Sequence, residues 1–394
     1  MSIKEFSTKK QGRYMSFASL GLSPFLQKEL IRQNFTKPYP IQKEAIPAIL
    51  KGKDVLGIAQ TGSGKTASYA LPILQNLDGK KAGKNRHIDA LILVPTRELA
   101  VQVGEVFKQF GSVMPNRLKS LAVFGGVSIN PQMIGLQNVR ILIATPGRLL
   151  DLVESKAIHL SNVQALVLDE ADKMLNLGFK KEIDKIFGLL PERRQNLLFS
   201  ATLSKDVSSI HQMLLKDPQV IKIAAEKENI DLINQTGYFT SEERKGPLLR
   251  YIIKNNELKQ VLIFTSSVYK ADNVADKLRK NGIQAKAIHR RKSQLARTEA
   301  LQNFKEGKLR VLVATDLLAR GIDIEFLPCV INYELPRSPK DYIHRIGRTG
   351  RAENPGDAIS LICPDEEHHF KIIQKKMGRS VNMIESKDID LFKK

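Results

Sequence analysis

Short apolar runs recur along the whole chain, each closed by a turn and followed by a helical pattern. This alternation constrains the fold more than any other feature. In the first half the runs are Asp54-Val-Leu-Gly-Ile58, Ala90-Leu-Ile-Leu-Val94, Arg140-Ile-Leu-Ile-Ala144, Ala165-Leu-Val-Leu168 and Asn196-Leu-Leu-Phe199. In the second half they are Val261-Leu-Ile-Phe264, Val311-Leu-Val-Ala314, Val330-Ile-Asn-Tyr333 and Ala358-Ile-Ser-Leu-Ile362. Apolar runs of this length read as buried strands, and strands that alternate with helices pair in parallel, covered on both faces. The expected fold class is α/β, with mostly parallel sheets. At 394 residues the chain is too long for one ordinary core and is expected to form two domains. The polar stretch Ala225-Glu-Lys-Glu-Asn-Ile-Asp231 reads as the connection. The expected division is a flexible N-terminal extension over 1–14, a first domain over 15–224, a linker over 225–232, a second domain over 233–378 and a short polar tail over 379–394.

In such sheets ligands bind beyond the carboxyl ends of the strands, and the unusual motifs sit there. Ala59-Gln-Thr-Gly-Ser-Gly-Lys-Thr66 follows one strand and precedes a helical pattern, which is the context of a phosphate-binding loop. The backbone around Thr61, Gly62, Ser63 and Gly64 is able to wrap phosphate oxygens, with Lys65 reaching the β- and γ-phosphates and Thr66 ligating Mg²⁺. A hundred residues on, another strand ends in Asp169-Glu170. One acid of such a pair holds Mg²⁺ and its neighbour orients or deprotonates the attacking water. The second half has no Gly-Lys-Thr; its distinctive segment is His344-Arg-Ile-Gly-Arg-Thr-Gly-Arg351. A dense arginine group in a domain without its own nucleotide loop suggests arginine fingers that complete a site on the other domain.

Charge points to the second ligand. There are 62 basic and 41 acidic residues, a net +21, which favours a polyanion, nucleic acid ahead of membrane. Tryptophan is absent and aromatics make up 6%, so phosphate-backbone contacts fit better than a base-stacking platform. Cys329 and Cys363 are the only cysteines, are expected to be reduced and structural, and form no metal-ligand spacing. No apolar signal region opens the chain and no apolar run is long enough to span a bilayer, so a cytoplasmic protein without membrane contact is expected.

Taken together the motifs resemble the DEAD-box ATP-dependent RNA helicases. Asp169-Glu-Ala-Asp172 spells the family's name; Pro95-Thr-Arg-Glu-Leu-Ala100, Gly125-Gly126, Thr145-Pro-Gly-Arg148, Ser200-Ala-Thr202 and Ala314-Thr-Asp-Leu-Leu-Ala-Arg-Gly-Ile-Asp323 follow in the family's order. The likeness runs from about Phe17 to about Cys363, and the segments Met15–Leu22 and Lys292–Arg297 look like the bacterial RhlE-type subgroup. The resemblance implies two tandem RecA-like domains, with Phe35 stacking on adenine, Gln42 reading its edge, Phe17 in support and Asp323 on the ribose. It places Ser200, Thr202 and His344 in coupling nucleotide to RNA, and Lys65, Asp169, Glu170, Arg348 and Arg351 in hydrolysis. For RNA it implies Pro95, Thr96, Arg97, Gly126, Thr145 and Arg148 in the first domain and Arg297 and Thr315 in the second, groups that grip phosphates and sugars without reading bases.

Two positions depart from the family pattern. Asn34 stands where glycine is usual, and asparagine tolerates positive φ. Arg290, in His289-Arg-Arg-Lys292, also replaces a glycine: either the backbone there does not need glycine or the RNA grip is altered. The expected activity is ATP-driven local separation of RNA strands. The alternatives are an ATP-gated RNA clamp or assembly scaffold and a DNA-translocating motor. ATP and Mg²⁺ are the expected cofactors, RNA the partner, a monomer the expected state, and ribosomal or RNA-decay assemblies the partners the resemblance implies.

Overall fold

The computed structural model describes residues 16–60, 62–80, 85–223, 232–316, 327–350 and 355–391. They form two compact units, Met1–Ala224 and Ala225–Lys394. The first unit has strands β1 (Val55–Ile58), β2 (Ala90–Leu93), β3 (Ser120–Val123), β4 (Ile141–Ala144), β5 (Ala165–Leu168), β6 (Gln195–Ser200) and β7 (Gln219–Lys222). They pair in the order β3-β4-β2-β5-β6-β1-β7, every pair parallel. The second has β8 (Ile233–Phe239), β9 (Val261–Thr265), β10 (Ala285–Ile288), β11 (Val311–Thr315), β12 (Cys329–Asn332), β13 (Gly356–Ile362) and β14 (Asn382–Glu385). Their order is β10-β11-β9-β12-β13-β8-β14, again all parallel, and it is the first order with every strand number raised by seven.

The strand period of two sorts the apolar runs onto two faces. Val55, Ile92, Ile143 and Val167 enter one core of the first unit; their neighbours Leu56, Leu93, Leu142 and Leu168 enter the other. Every residue of β2, β4 and β5 is therefore buried, which is why these strands read as unbroken apolar runs. Helices cover both faces. Several open on a Ser or Thr that follows the strand end and accepts the first free N–H of the helix: Thr96 from Leu99, Ser267 from Lys270, Ser293 from Ala296 and Ser338 from Asp341.

The strands without an apolar run in the sequence are β3, β7, β10, β14 and β8. The first four are the sheet edges, with one neighbour each and mixed exposure. The fifth alternates buried and open positions from Ile233 to Phe239. The polar tail expected from 379 is corrected in part: Asn382–Glu385 pair with Thr236–Phe239, Val381 is buried, and Ile389 and Leu391 pack against the sheet. The N-terminal extension and linker residues 225–231 lie outside the described residues. Cys329 and Cys363 are free and buried. Among the described residues no helix is long and apolar enough to cross a membrane.

Gly57 lies within β1, between β6 and β7, and a Cβ there would fall 2.6 Å from two ring carbons of the buried Phe199. Gly57→Ala is expected to destabilise the first unit by about 1–3 kcal/mol through overpacking. Urea unfolding checks this, and an unchanged midpoint would show that the Phe199 ring yields freely.

Candidate functional site

The phosphate loop leaves β1 and enters the helix Lys65–Leu77. Gly64 makes that entry in the left-handed region at φ 85°, and a Cβ on it would fall 2.9 Å from the Tyr39 ring and closer still to the Gln42 amide. Gln42, fully buried, spans the turn: its Oε1 accepts from Tyr39 N at 2.9 Å and its Nε2 donates to Gly64 O at 3.2 Å. Ser63 Oγ donates to Gln60 O at 2.8 Å. Lys65 Nζ donates to the carbonyls of Ala59 and Gln60, both at 2.7 Å. Burial holds the Lys65 ammonium below its ordinary pKa, against the pull of Asp169, Glu170 and Asp172. Gly62 and Thr66 flank this centre within the loop and first helical turn, while Thr61 lies outside the described residues.

Asn34 resolves one departure. The helix Pro24–Arg32 ends in a Schellman motif, with Asn34 N on Ile31 O at 3.0 Å and Phe35 N on Leu30 O at 2.9 Å. Asn34 takes φ 59°, so it supplies the left-handed residue that glycine otherwise would. Phe35 then stands 37% exposed, its ring tilted on Phe110 at 6.5 Å between centroids. Phe17 is buried in one core of the first unit.

The acid pair leaves the end of β5, beside β6 and β2. Asp169 is buried; its Oδ1 accepts from Glu170 N at 2.9 Å and its Oδ2 from the Tyr69 hydroxyl at 2.8 Å. Burial pushes the Asp169 carboxyl up to about 6, with Lys65 opposing. Glu170 adopts φ 52° and ψ 48°, a conformation that is costly for a glutamate. Its Oε2 pairs with Lys173 Nζ at 2.9 Å. Asp172 reaches across to the end of β6, where its Oδ2 accepts from Thr202 N at 3.1 Å and Thr202 Oγ1 at 2.8 Å. Ser200 Oγ in turn donates to Thr202 O at 2.8 Å, and Ser200 O accepts from Ala59 N at 3.0 Å. The hydroxyl triplet, the acid cluster and the phosphate loop are thus one hydrogen-bonded network in the first unit.

A second cluster lies beyond β2, β3 and β4. Thr96 and Thr145 open the helices Arg97–Ser112 and Pro146–Glu154, Pro95 is buried, and two arginines reach the turn between β3 and the next helix. Arg97 Nη1 donates to Gly126 O at 3.4 Å, and Arg148 Nη2 to Val127 O at 2.8 Å. Gly126 is at φ 72°, and a Cβ there would strike the Arg97 guanidinium. These arginines therefore shape the glycine turn as well as lining it.

In the second unit, Thr315 ends β11 and Arg297 is buried on the helix Gln294–Lys305. His344 lies on the helix Pro339–Ile346, and Arg348 is buried just after it. The arginine that the sequence reasoning left without a role is Arg345. Its guanidinium donates to both Asp316 oxygens at 2.6 and 2.7 Å, to Asn332 Oδ1 at 3.0 Å and to Glu334 O at 2.7 Å, over the Phe264 ring. The sequence signal was its place in the arginine series; its partners are too distant in sequence to be seen. Tyr69, Asp172 and Lys173 were missed likewise. Arg290 takes no positive φ, so the backbone there does not need glycine. Its turn is anchored by Asp272, which pairs with His289 at 3.0 Å and Lys292 at 2.8 Å. Arg351 and Asp323 lie outside the described residues.

Among the described residues no group of three or more His, Cys, Asp or Glu is placed to hold a metal. Asp169 and Thr66 are hard oxygen donors, and Mg²⁺ is commonly held by one or two protein oxygens with phosphates and water supplying the rest. The donor set fits that ion.

Comparisons with known proteins agree with this architecture. The family description "DEAD/DEAH box helicase" matches residues 39–210, and "Helicase conserved C-terminal domain" matches residues 244–353. The chain is 38% identical over 376 residues to the DEAD-box ATP-dependent RNA helicase CshA of Bacillus cereus, covering 95% of this chain and 70% of that protein. The same-named protein of Bacillus subtilis is 36% identical over 377 residues, covering 95% of this chain and 75% of its own length. Among solved structures, S. cerevisiae Dbp5 bound to RNA and ADP BeF3 aligns with a TM-score of 0.80 at 30% identity, over 95% of this chain and 96% of that one. A DEAD box protein from Methanococcus jannaschii aligns with a TM-score of 0.53 at 37% identity, over 94% and 99%. The two seven-stranded parallel sheets are the tandem RecA-like domains of these proteins, and the chain belongs to the DEAD-box ATP-dependent RNA helicases.

Proposed function

We propose that this helicase uses the network around Lys65, Asp169 and Glu170 to hydrolyse ATP and release one strand of a short RNA duplex. The observation that carries the reading is that hydrogen bonds at adjoining strand ends join the phosphate loop to the Ser200 carbonyl and Thr202 to Asp172 of the acid cluster. Lys65 contacts the β- and γ-phosphates. Asp169 and Thr66 would hold Mg²⁺, which would offset charge on the transferring phosphoryl group. Glu170, held in its unusual backbone conformation, orients the attacking water. Arg348 and Arg351, supplied by the second unit, stabilise the charge developing on the γ-phosphate. Phe35 stacks on adenine with Phe17 beneath it, Gln42 reads the adenine edge, the backbone of residues 61–64 cradles phosphate, and Asp323 contacts the ribose.

RNA backbone contacts come from Pro95, Thr96, Arg97, Gly126, Thr145 and Arg148 in the first unit and from Arg297 and Thr315 in the second. Ser200, Thr202 and His344 couple the two ligands: Thr202 answers to Asp172, so a shift of the acid cluster moves the hydroxyl pair. The division at a linker over 225–232 serves a cycle in which nucleotide and RNA together bring the units into register. A monomer in the cytoplasm, acting on ribosomal or RNA-decay assemblies, fits the family. The RhlE-type affinity rests on the segments 15–22 and 292–297 alone, since the relatives found carry the name CshA.

Three outcomes are expected. ATPase measured without nucleic acid, with RNA and with DNA is stimulated by RNA alone; equal stimulation by DNA would favour a translocating motor, and long RNA retention without strand displacement a clamp. Glu170→Gln keeps ATP and RNA binding and lowers turnover by at least about a hundred-fold, the span expected for losing a group that orients the proton-donating nucleophile; full RNA-stimulated turnover would remove the assignment. Asp169 gives a pH test. Its folded carboxyl, at about 6 against an ordinary 3.8, binds its proton more readily than in the unfolded chain, so stability falls as pH rises through that window. In the absence of nucleotide and metal, Asp169→Asn is expected to raise the unfolding free energy at pH 8 by at most roughly 3 kcal/mol. The gain shrinks at pH 5; thermal melts at both values check it, and a pH-independent difference would contradict the burial argument.

A further inference from the structure

Tyr69 is fully buried on the helix Lys65–Leu77, one turn beyond Thr66. Its ring packs between Phe107 and Phe199, with centroids at 6.2 and 5.3 Å. Apolar packing accounts for the ring and leaves the hydroxyl unexplained, because a phenylalanine would fill the same space. A buried hydroxyl is costly unless it is hydrogen-bonded. This one donates to Asp169 Oδ2 at 2.8 Å, across a hundred residues of sequence. Asp169 Oδ1 is taken by Glu170 N at 2.9 Å, so each carboxylate oxygen has one protein donor and the plane of the carboxylate is fixed.

We propose that Tyr69 is a positioning residue for a metal ligand of the ATP site, its phenol fixing the orientation of the Asp169 carboxylate. This rests on the assignment of Asp169 as a Mg²⁺ ligand. The phenol is fully buried and acts through Asp169. A donor held rigidly between two aromatic rings limits rotation of Asp169, leaving the outer lone pairs of its oxygens directed toward the ion.

Tyr69→Phe removes the hydroxyl and keeps the ring. Metal binding is read directly, as free Mn²⁺ by electron paramagnetic resonance, with the full chain saturated by a non-hydrolysable ATP analogue. The variant is expected to bind Mn²⁺ about ten-fold more weakly, the usual cost of removing a group that orients a metal ligand. Its affinity for the analogue without metal and its RNA affinity without nucleotide are expected to stay as in the parent, which loss of structure would not allow. Asp169→Asn, measured alongside, separates the two ways of failing. If Asp169→Asn weakens Mn²⁺ binding and Tyr69→Phe does not, the role of Tyr69 is overturned alone. If neither changes it, the metal-ligand assignment falls and the proposal with it.

Discussion

A parallel sheet covered on both faces has no polar surface except at the ends of its strands. That constraint governs this protein. β2, β4 and β5 are buried along their whole length, so carboxylates, hydroxyls and arginines are confined to the loops beyond them. Because adjacent strands end at similar heights, residues far apart in the chain become neighbours: Tyr69 with Asp169, Thr202 with Asp172, Ala59 with Ser200.

Concentrating charge at such ends is costly, and the structure shows where. Asp169 is pushed well above its ordinary pKa and Lys65 below, both mainly by burial. Glu170 occupies a backbone region that glutamate rarely takes. These are departures from the most stable arrangement, offset by the packed cores beneath, and they leave a carboxylate and an ammonium poorly solvated where a phosphate and a cation would satisfy them. The aromatic layer of Tyr69, Phe107 and Phe199 is the rigid floor on which this is built.

The second unit repeats the same strand order and puts its ends to a different use. Its sequence has no Gly-Lys-Thr; its buried Arg345 makes four hydrogen bonds, to Asp316, Asn332 and Glu334. Removing Asp316 would leave the buried guanidinium without its carboxylate. Arg345 thereby braces the helix that carries His344 and precedes Arg348. One topology thus serves a nucleotide loop in one copy and an arginine platform in the other, since the sheet dictates where side chains converge and not which ones.

The amino-acid sequence by itself determined the α/β class, the interior strands apart from β8, and the placing of the glycine-rich loop and the acid pair at strand ends. These depend on local rules: apolar runs, glycine spacing and the chemistry of neighbouring residues. Edge strands such as β7 and β14 escaped it because a strand with one neighbour needs no apolar run, and the expected tail beyond 379 proved to hold one of them. The backbone conformation at Arg290 was likewise open in the sequence and is given by its angle, which is not in the left-handed region. Only the tertiary structure decided that Arg97 and Arg148 hold the Gly126 turn, that Arg345 is a brace, and that Tyr69 reaches Asp169. A hydrogen bond depends on where two side chains end in space, and no spacing along the chain encodes that distance.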